Sequence, residues 1–378
     1  MHFVIGILSA TILLAILWDA FETLILPRRV TRTLRLARLF FRFSWGLYSA
    51  VARRISATKK RESYLSYFGP LSLLTLFVLW ASALVFAFAA IHWALGSAVG
   101  APRLRPSFGT DLYFSGTTFF TLGMGDVVPT NGFAKALAVL EAGTGFGFLA
   151  IVVSYLPTLY GSCSQRETNI SLLDARAGSP PTAAELLRRH GSRQIQDGLG
   201  QYLRDWEVWS AQLMESHLTY PILCFFRSQH DNQSWVAALT AILDVCALLI
   251  AYGEGETKWQ AQLTFATARH AVVDMSQVLK LRAQVPQPDR LRPEDLPQMR
   301  SLLMQCGQAG CSDAGDAKLA ELRALYEPYL GGLSKLMLMQ LPSWGLQLAP
   351  NKGVTVWDRI SSTGSSLPQP YQIESDHF

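Results

Sequence analysis

Three long apolar runs dominate the first 160 residues, and polar positions set their ends. Residues 3–26 (FVIGILSATILLAILWDAFETLIL) are almost uninterrupted and stop at Pro27-Arg28-Arg29. Residues 64–95 and 133–157 form two more runs. Each run is long enough to cross a hydrocarbon core of about 30 Å as a helix. The first is too long for a signal-peptide core, and no small-residue cleavage site follows it, so a retained transmembrane helix is expected. Between the second and third runs, residues 96–108 contain Gly and Pro and predict a turn. Asp111 to Phe120 then predicts a short helix, with Ser107 or Thr110 as its cap. Past Tyr160 charge, Trp and aliphatic residues mix at helical spacing. Helices are predicted over 183–190, 194–217, 235–251, 260–282, 293–305 and 314–340, with Thr182 as an N-cap. Residues 235–251 are apolar enough to suggest another span, but the run is short and carries Asp244, so a buried core helix is expected. Residues 346–378 are rich in Ser, Pro and Gly and are expected to be disordered.

Charge then fixes an expected orientation. Arg28, Arg29, Arg32, Arg35, Arg38, Arg42, Arg53, Arg54, Lys59, Lys60 and Arg61 follow the first run with no acidic residue among them. Lys and Arg collect on the cytoplasmic side of membranes, so the N-terminus is expected outside and 28–63 inside. Arg32, Arg35, Arg38 and Arg42 share one helical face, and Leu36, Phe40, Phe43, Leu47 and Val51 share another. Spaced arginines resemble a voltage-sensing helix, but that reading would put Arg28 and Arg29 outside, against the charge rule. An amphipathic helix on the anionic inner leaflet accounts for the same residues and is preferred. Asp19 and Glu22, one turn apart within the first span, are either functional or paired with Arg28 or Arg32; the structural role is preferred. His92, near the outer end of the second run, is expected at the interface.

Composition narrows the function. Half of the 378 residues are hydrophobic, and the apolar surplus precedes residue 160. The net charge of +5 is concentrated beside the first span, which argues for anionic lipid and against nucleic acid as its partner. The five cysteines (Cys163, Cys224, Cys246, Cys306, Cys311) form no C-x-x-C pair and have no histidine cluster near them, so reduced thiols are expected. No nucleophile–base pattern or transition-metal spacing rises above background: no catalytic residue, no enzyme and no organic cofactor are expected. No G-x-G-x-x-G follows a strand pattern, so a nucleotide-binding regulatory domain is not visible, and the ligand or protein partner of 161–345 is left open.

One hexapeptide organises the rest. Thr121-Leu122-Gly123-Met124-Gly125-Asp126 has the form T-x-G-x-G-D and lies between two spans, after a short helix. It resembles the selectivity filter of tetrameric potassium channels, and residues 64–160, under a third of the chain, resemble their two-helix pore module. Gly123 and Gly125 can take positive φ that residues with a Cβ avoid. Alternating them with ordinary residues lets successive carbonyls face one axis and replace the water shell of a cation.

The resemblance implies an all-α membrane protein with an outer helix–pore loop–inner helix module. An extra N-terminal span (1–27), the basic segment (28–63), the pore module (64–160), a helical cytoplasmic domain (161–345) and the tail (346–378) complete it. It implies a homotetramer in the plasma membrane (the cell inner membrane), with K+ held by Thr121, Leu122, Gly123 and Met124. Tyr113, Phe114, Thr117, Thr118 and Glu141 are the candidate filter supports; Glu141 is placed behind the filter, holding it by hydrogen bonds. Gly143, Gly145 and Gly147 leave two readings open, a gating hinge or a packing contact. Two positions depart from the family. Leu122 replaces the usual valine, and Met124 replaces an aromatic, usually tyrosine, that a pore-helix tryptophan braces; Phe114 stands at the matching position, so packing with a sulfur–aromatic contact is expected instead. A weakly selective cation channel is the rival within the class. A membrane-anchored signalling or scaffold protein with a non-conducting pore module is the rival outside it.

Overall fold

The computed structural model describes residues 2–26, 35–97, 99–100, 107–190, 196–229, 232–307 and 312–346. Arg28, Arg29, Arg32, Cys311, most of the 96–108 turn and the tail from 347 lie outside the described residues. The chain divides into two compact units, Met1–Ser162 and Cys163–Phe378.

The first unit contains α1 (His2–Leu24), α2 (Leu36–Ala52), α3 (Thr58–Ser66), α4 (Phe68–Ala94), α5 (Phe108–Phe119) and the start of α6 (Gly132–Ala177). The two strands among the described residues, β1 (Val99–Gly100) and β2 (Val128–Pro129), pair antiparallel. α1 packs along α4 in the opposite direction: the His2 ring meets Trp93 at 5.1 Å, and Asp19 lies beside Trp80. Gly6 lies on this contact, where a Cβ would meet the Ala94 Cβ at an ordinary 3.4 Å. The start of α1 and the end of α4 therefore share one end of the unit.

Asp19 and Glu22 turn out to join α1 to α2. Arg35 stands at the N-cap of α2 and offers no capping side chain. Asp19 supplies the cap from the other helix, accepting the N–H groups of Leu36 and Ala37, each at 3.0 Å. A carboxylate at a helix N-terminus is favoured by the dipole as well as by the bonds. Arg35 turns inward to Glu22 (3.7 Å) and donates to the Thr23 hydroxyl at 3.0 Å. This corrects its expected place among the membrane-surface arginines: a buried carboxylate needs a partner more than the headgroup region does. Arg42 stays exposed and Arg38 half-buried. α2 is held to α3 and α4 by aromatic contacts, Trp45 on Phe68 at 4.8 Å and Tyr48 stacked on Tyr64 at 4.2 Å. Leu36, Phe43, Leu47 and Val51 point away from these contacts, exposed together with Leu39.

α6 is longer than expected. It runs through Pro157, where the apolar run stops, and ends only at Ala177; the end of an apolar run is not the end of a helix.

The second unit is built around α9 (Trp235–Tyr252), in which every residue but Ala251 is buried. α7 (Ala183–His190), α8 (Gln196–Thr219), α10 (Gly255–Val278), α12 (Asp313–Ala324) and α13 (Glu327–Met337) pack against it, and α11 (Leu296–Gln305) packs on α7. A helix covered by its own unit on all sides is a core element. Asp244 within it is neutralised in place: Arg290 grips both carboxylate oxygens, and the Tyr326 hydroxyl donates to Oδ1 at 2.6 Å. The single helix expected over 314–340 is two, because Pro328 opens α13 rather than continuing α12. Thr182 caps α7, its hydroxyl accepting from the Glu185 N–H at 3.3 Å. Burial pushes the Cys224 thiol up to about 12 and raises Cys246 as well, so both stay protonated and inert.

Two buried histidines make this unit acid-sensitive. Burial, then the neighbouring Arg166 guanidinium, holds His217 well below the ordinary imidazole range; burial also lowers His190. In the unfolded chain both titrate near 6.5. Below that pH the unfolded state binds protons that the folded state refuses, so stability is lost as pH falls. The thermal midpoint of the purified protein is expected to drop between about pH 7 and about pH 5. His217→Gln combined with His190→Gln should flatten that slope; an unchanged slope contradicts the assignment.

Candidate functional site

The loop Thr121–Asp126 is positioned from both sides. On its entry side, α5 begins at Ser107, whose hydroxyl accepts the Thr110 N–H at 3.3 Å. Asp111 sits in the first turn, fully buried, and accepts from the Ser97 hydroxyl at 2.7 Å. At the helix end the backbone folds back on itself. Thr121 N–H donates to the Thr118 carbonyl at 3.0 Å, and the Thr117 carbonyl accepts from Leu122 at 2.8 Å and Gly123 at 3.4 Å. Carbonyls that a helix C-terminus leaves free thus hold the loop.

Within the loop the backbone alternates. φ is +57° at Thr121, +57° at Gly123 and +76° at Gly125. A Cβ at either glycine would meet nothing within 4 Å, so the conformation rather than lack of room calls for glycine there. Thr121 is β-branched, and such residues avoid this region; its hydrogen bond to Thr118 helps hold it. All six residues are exposed in the single chain, Leu122 at 64% and Met124 at 67%.

On the exit side, Tyr113 donates from its hydroxyl to Asp126 Oδ2 at 3.0 Å. Val127 is buried, β2 pairs with β1, and Asn131 caps α6 by accepting the Ala134 N–H at 2.8 Å. Gly145 brings α6 onto the end of α5: a methyl there would lie 1.9 Å from the Phe119 carbonyl oxygen. Gly143 and Gly147 face open space in the chain, and α6 is helical through all three.

Three side chains lie elsewhere than expected. Phe114 is 5% exposed and packs with Val99 and Val127, its ring edge-on to His92 at 5.2 Å. Neighbouring residues on a helix point about 100° apart, so Tyr113 faces the loop exit while Phe114 faces α4 rather than Met124. His92 is not interfacial but wholly buried. Glu141, also wholly buried, has its carboxylate 3.4 Å from His92 Nε2, so that imidazole, not the loop backbone, is the group it meets. The sequence carried little sign of this pair, because its members sit on different spans.

Residues 73–160 match the family model described as ion channel. The segment is a potassium-channel-like pore module, and the protein is a multi-pass, all-α membrane protein. The chain is also similar to the uncharacterized membrane protein YdjJ of Bacillus subtilis (strain 168), at 26% identity over 210 residues. That alignment covers 55% of this chain and 60% of the relative, so the chain spans less than two thirds of that protein. No solved structure matches.

The Gly145 contact can be tested directly. Gly145→Ala forces α5 and α6 apart and should cost about 1–3 kcal/mol, as overpacking does. Gly143→Ala, with open space around it, should be neutral or gain up to about 1 kcal/mol of helix propensity. Thermal unfolding of both variants in detergent checks this; equal behaviour means that the close approach is absent.

Proposed function

We propose that four copies of the chain assemble around Thr121–Asp126 and conduct cations, with potassium preferred. The observation that carries this reading is the alternation of positive φ at Thr121, Gly123 and Gly125 in a loop whose six residues lie uncovered in one chain. Such a backbone aims successive carbonyls one way. Four loops facing one axis would offer the carbonyls of Thr121, Leu122, Gly123 and Met124 in place of a cation's water shell. The C-terminal dipole of α5 favours a cation at the same place. Asp126 forms an acidic ring at the mouth, held by Tyr113, and gathers cations there.

The same reading sets the orientation. The basic segment after α1 lies at the cytoplasmic face of the plasma membrane, with the start of α1 and the loop mouth outside and the second unit in the cytoplasm. Arg38 and Arg42 meet anionic lipid there. Met124 has no hydroxyl with which to brace the loop, so the preference for potassium rests on packing between copies.

Planar-bilayer recording of the purified protein tests the proposal. A potassium-over-sodium reversal potential is expected. A current without that preference favours the weakly selective channel, and no current favours a scaffold. Asp126→Asn keeps the acceptor for Tyr113 but removes the charge. It should lower conductance at least about twofold at about 10 mM salt and little at about 1 M, where the screening length falls from about 30 Å to about 3 Å. A salt-independent loss assigns Asp126 a structural role instead.

A further inference from the structure

Behind the pore helix, three ionisable side chains from three elements meet with no exposure at all: His92 at the end of α4, Asp111 in the first turn of α5 and Glu141 in α6. His92 Nε2 lies 3.4 Å from Glu141 Oε2, and Asp111 interacts electrostatically with the same imidazole. Ser115 of α5 is beside Glu141, and the Ser97 hydroxyl bonds Asp111. Both nitrogens of His92, both oxygens of Glu141, Asp111 Oδ1 and Ser115 Oγ make no conventional hydrogen bond among the described residues. Among the described residues, mutual charge and protons shared within the cluster compensate these atoms for leaving water.

We propose that His92, Glu141 and Asp111 form a proton-binding site that holds the pore helix between the outer and inner helices, and that its charge state sets conduction through the loop. This rests on the channel reading for its second half only.

The charge count shows why a proton is the ligand. With both carboxylates ionised and the imidazole charged, the cluster carries one net negative charge in a dry site. One more proton makes it neutral; one fewer leaves two negative charges. Buried groups this close titrate as a unit. Among the described residues, Asp111 and Glu141 are the titratable groups that interact with His92. α1, on the far side of α4, offers His2, which lies against Trp93. No metal-binding cluster occurs among the described residues, which argues against a cation there.

The link to the loop is short. Phe114 packs on His92 and Ser115 sits by Glu141, while Thr117, within the next turn of the same helix, holds Leu122 and Gly123 through its carbonyl. A change in the cluster moves the helix that carries this carbonyl. Ser97 is half-buried and gives the cluster contact with the side where α4 ends, so pH on the loop-mouth side should matter.

The test uses full-length protein labelled with 15N-histidine in lipid nanodiscs, with the His92 signal assigned by its loss in His92→Gln. Glu141→Gln should move the His92 titration midpoint by about one pH unit or more, as an ion-pair partner within about 4–6 Å does. Asp111→Asn should move it too, and it carries the test alone if Glu141→Gln does not fold. In bilayers, open probability should change with loop-side pH at the same midpoint as His92, and His92→Gln should abolish that change. A His92 midpoint unmoved by both substitutions overturns the site. PH dependence that survives His92→Gln overturns its control of conduction. A protein without current would defeat the channel reading, and with it the control of conduction, while the labelled histidine still decides the site.

Discussion

Hydrocarbon offers no partner to a free N–H or C=O, so a chain may leave the helix at membrane depth only where protein or a water-filled cavity receives its backbone. In the proposed channel Thr121 to Asp126 are six such residues, and much of the first unit answers to them. The Thr117 and Thr118 carbonyls take their first N–H groups, Tyr113 fixes Asp126, and the β1–β2 pair ties down the exit. Gly145 lets α6 close on the base of α5. What one chain does not cover is the loop's other side, and that uncovered side is where the proposed copies meet.

A second constraint recurs: each buried carboxylate is matched by a specific positive or donating group. Asp19 caps a helix that begins 17 residues later, Glu22 takes Arg35, Glu141 takes His92, and Asp244 takes Arg290. Breaking such a pair leaves an uncompensated charge and costs several kcal/mol, so these contacts fix which helices neighbour one another. They also explain why charged residues sit in segments that are otherwise apolar.

What could be read ahead of the structure follows from how local each signal is. The three spans, the short pore helix, the Thr182 cap and the positive φ at Gly123 and Gly125 depend on neighbours within a few residues. The positive φ at Thr121 broke the local rule for a β-branched residue. Partners were less legible. His92 looked interfacial because only its position along α4 could be seen, not the carboxylates brought to it by α5 and α6. Arg35 looked like part of a lipid-facing stripe because helical spacing ignores what waits on a neighbouring span. Phe114 and Met124 were paired by resemblance, whereas the rotation of α5 hands Phe114 to α4. The long end of α6 was hidden because a helix can continue after its apolar run has stopped.

Conduction as proposed requires that four Thr121–Asp126 loops close on one another. A cryo-electron microscopy structure of the full-length protein in lipid nanodiscs with potassium measures this most directly. Four copies about one axis are expected, with ion density beside the Thr121, Leu122, Gly123 and Met124 carbonyls. A dimer, or a tetramer whose loops face lipid with no density on the axis, would contradict it.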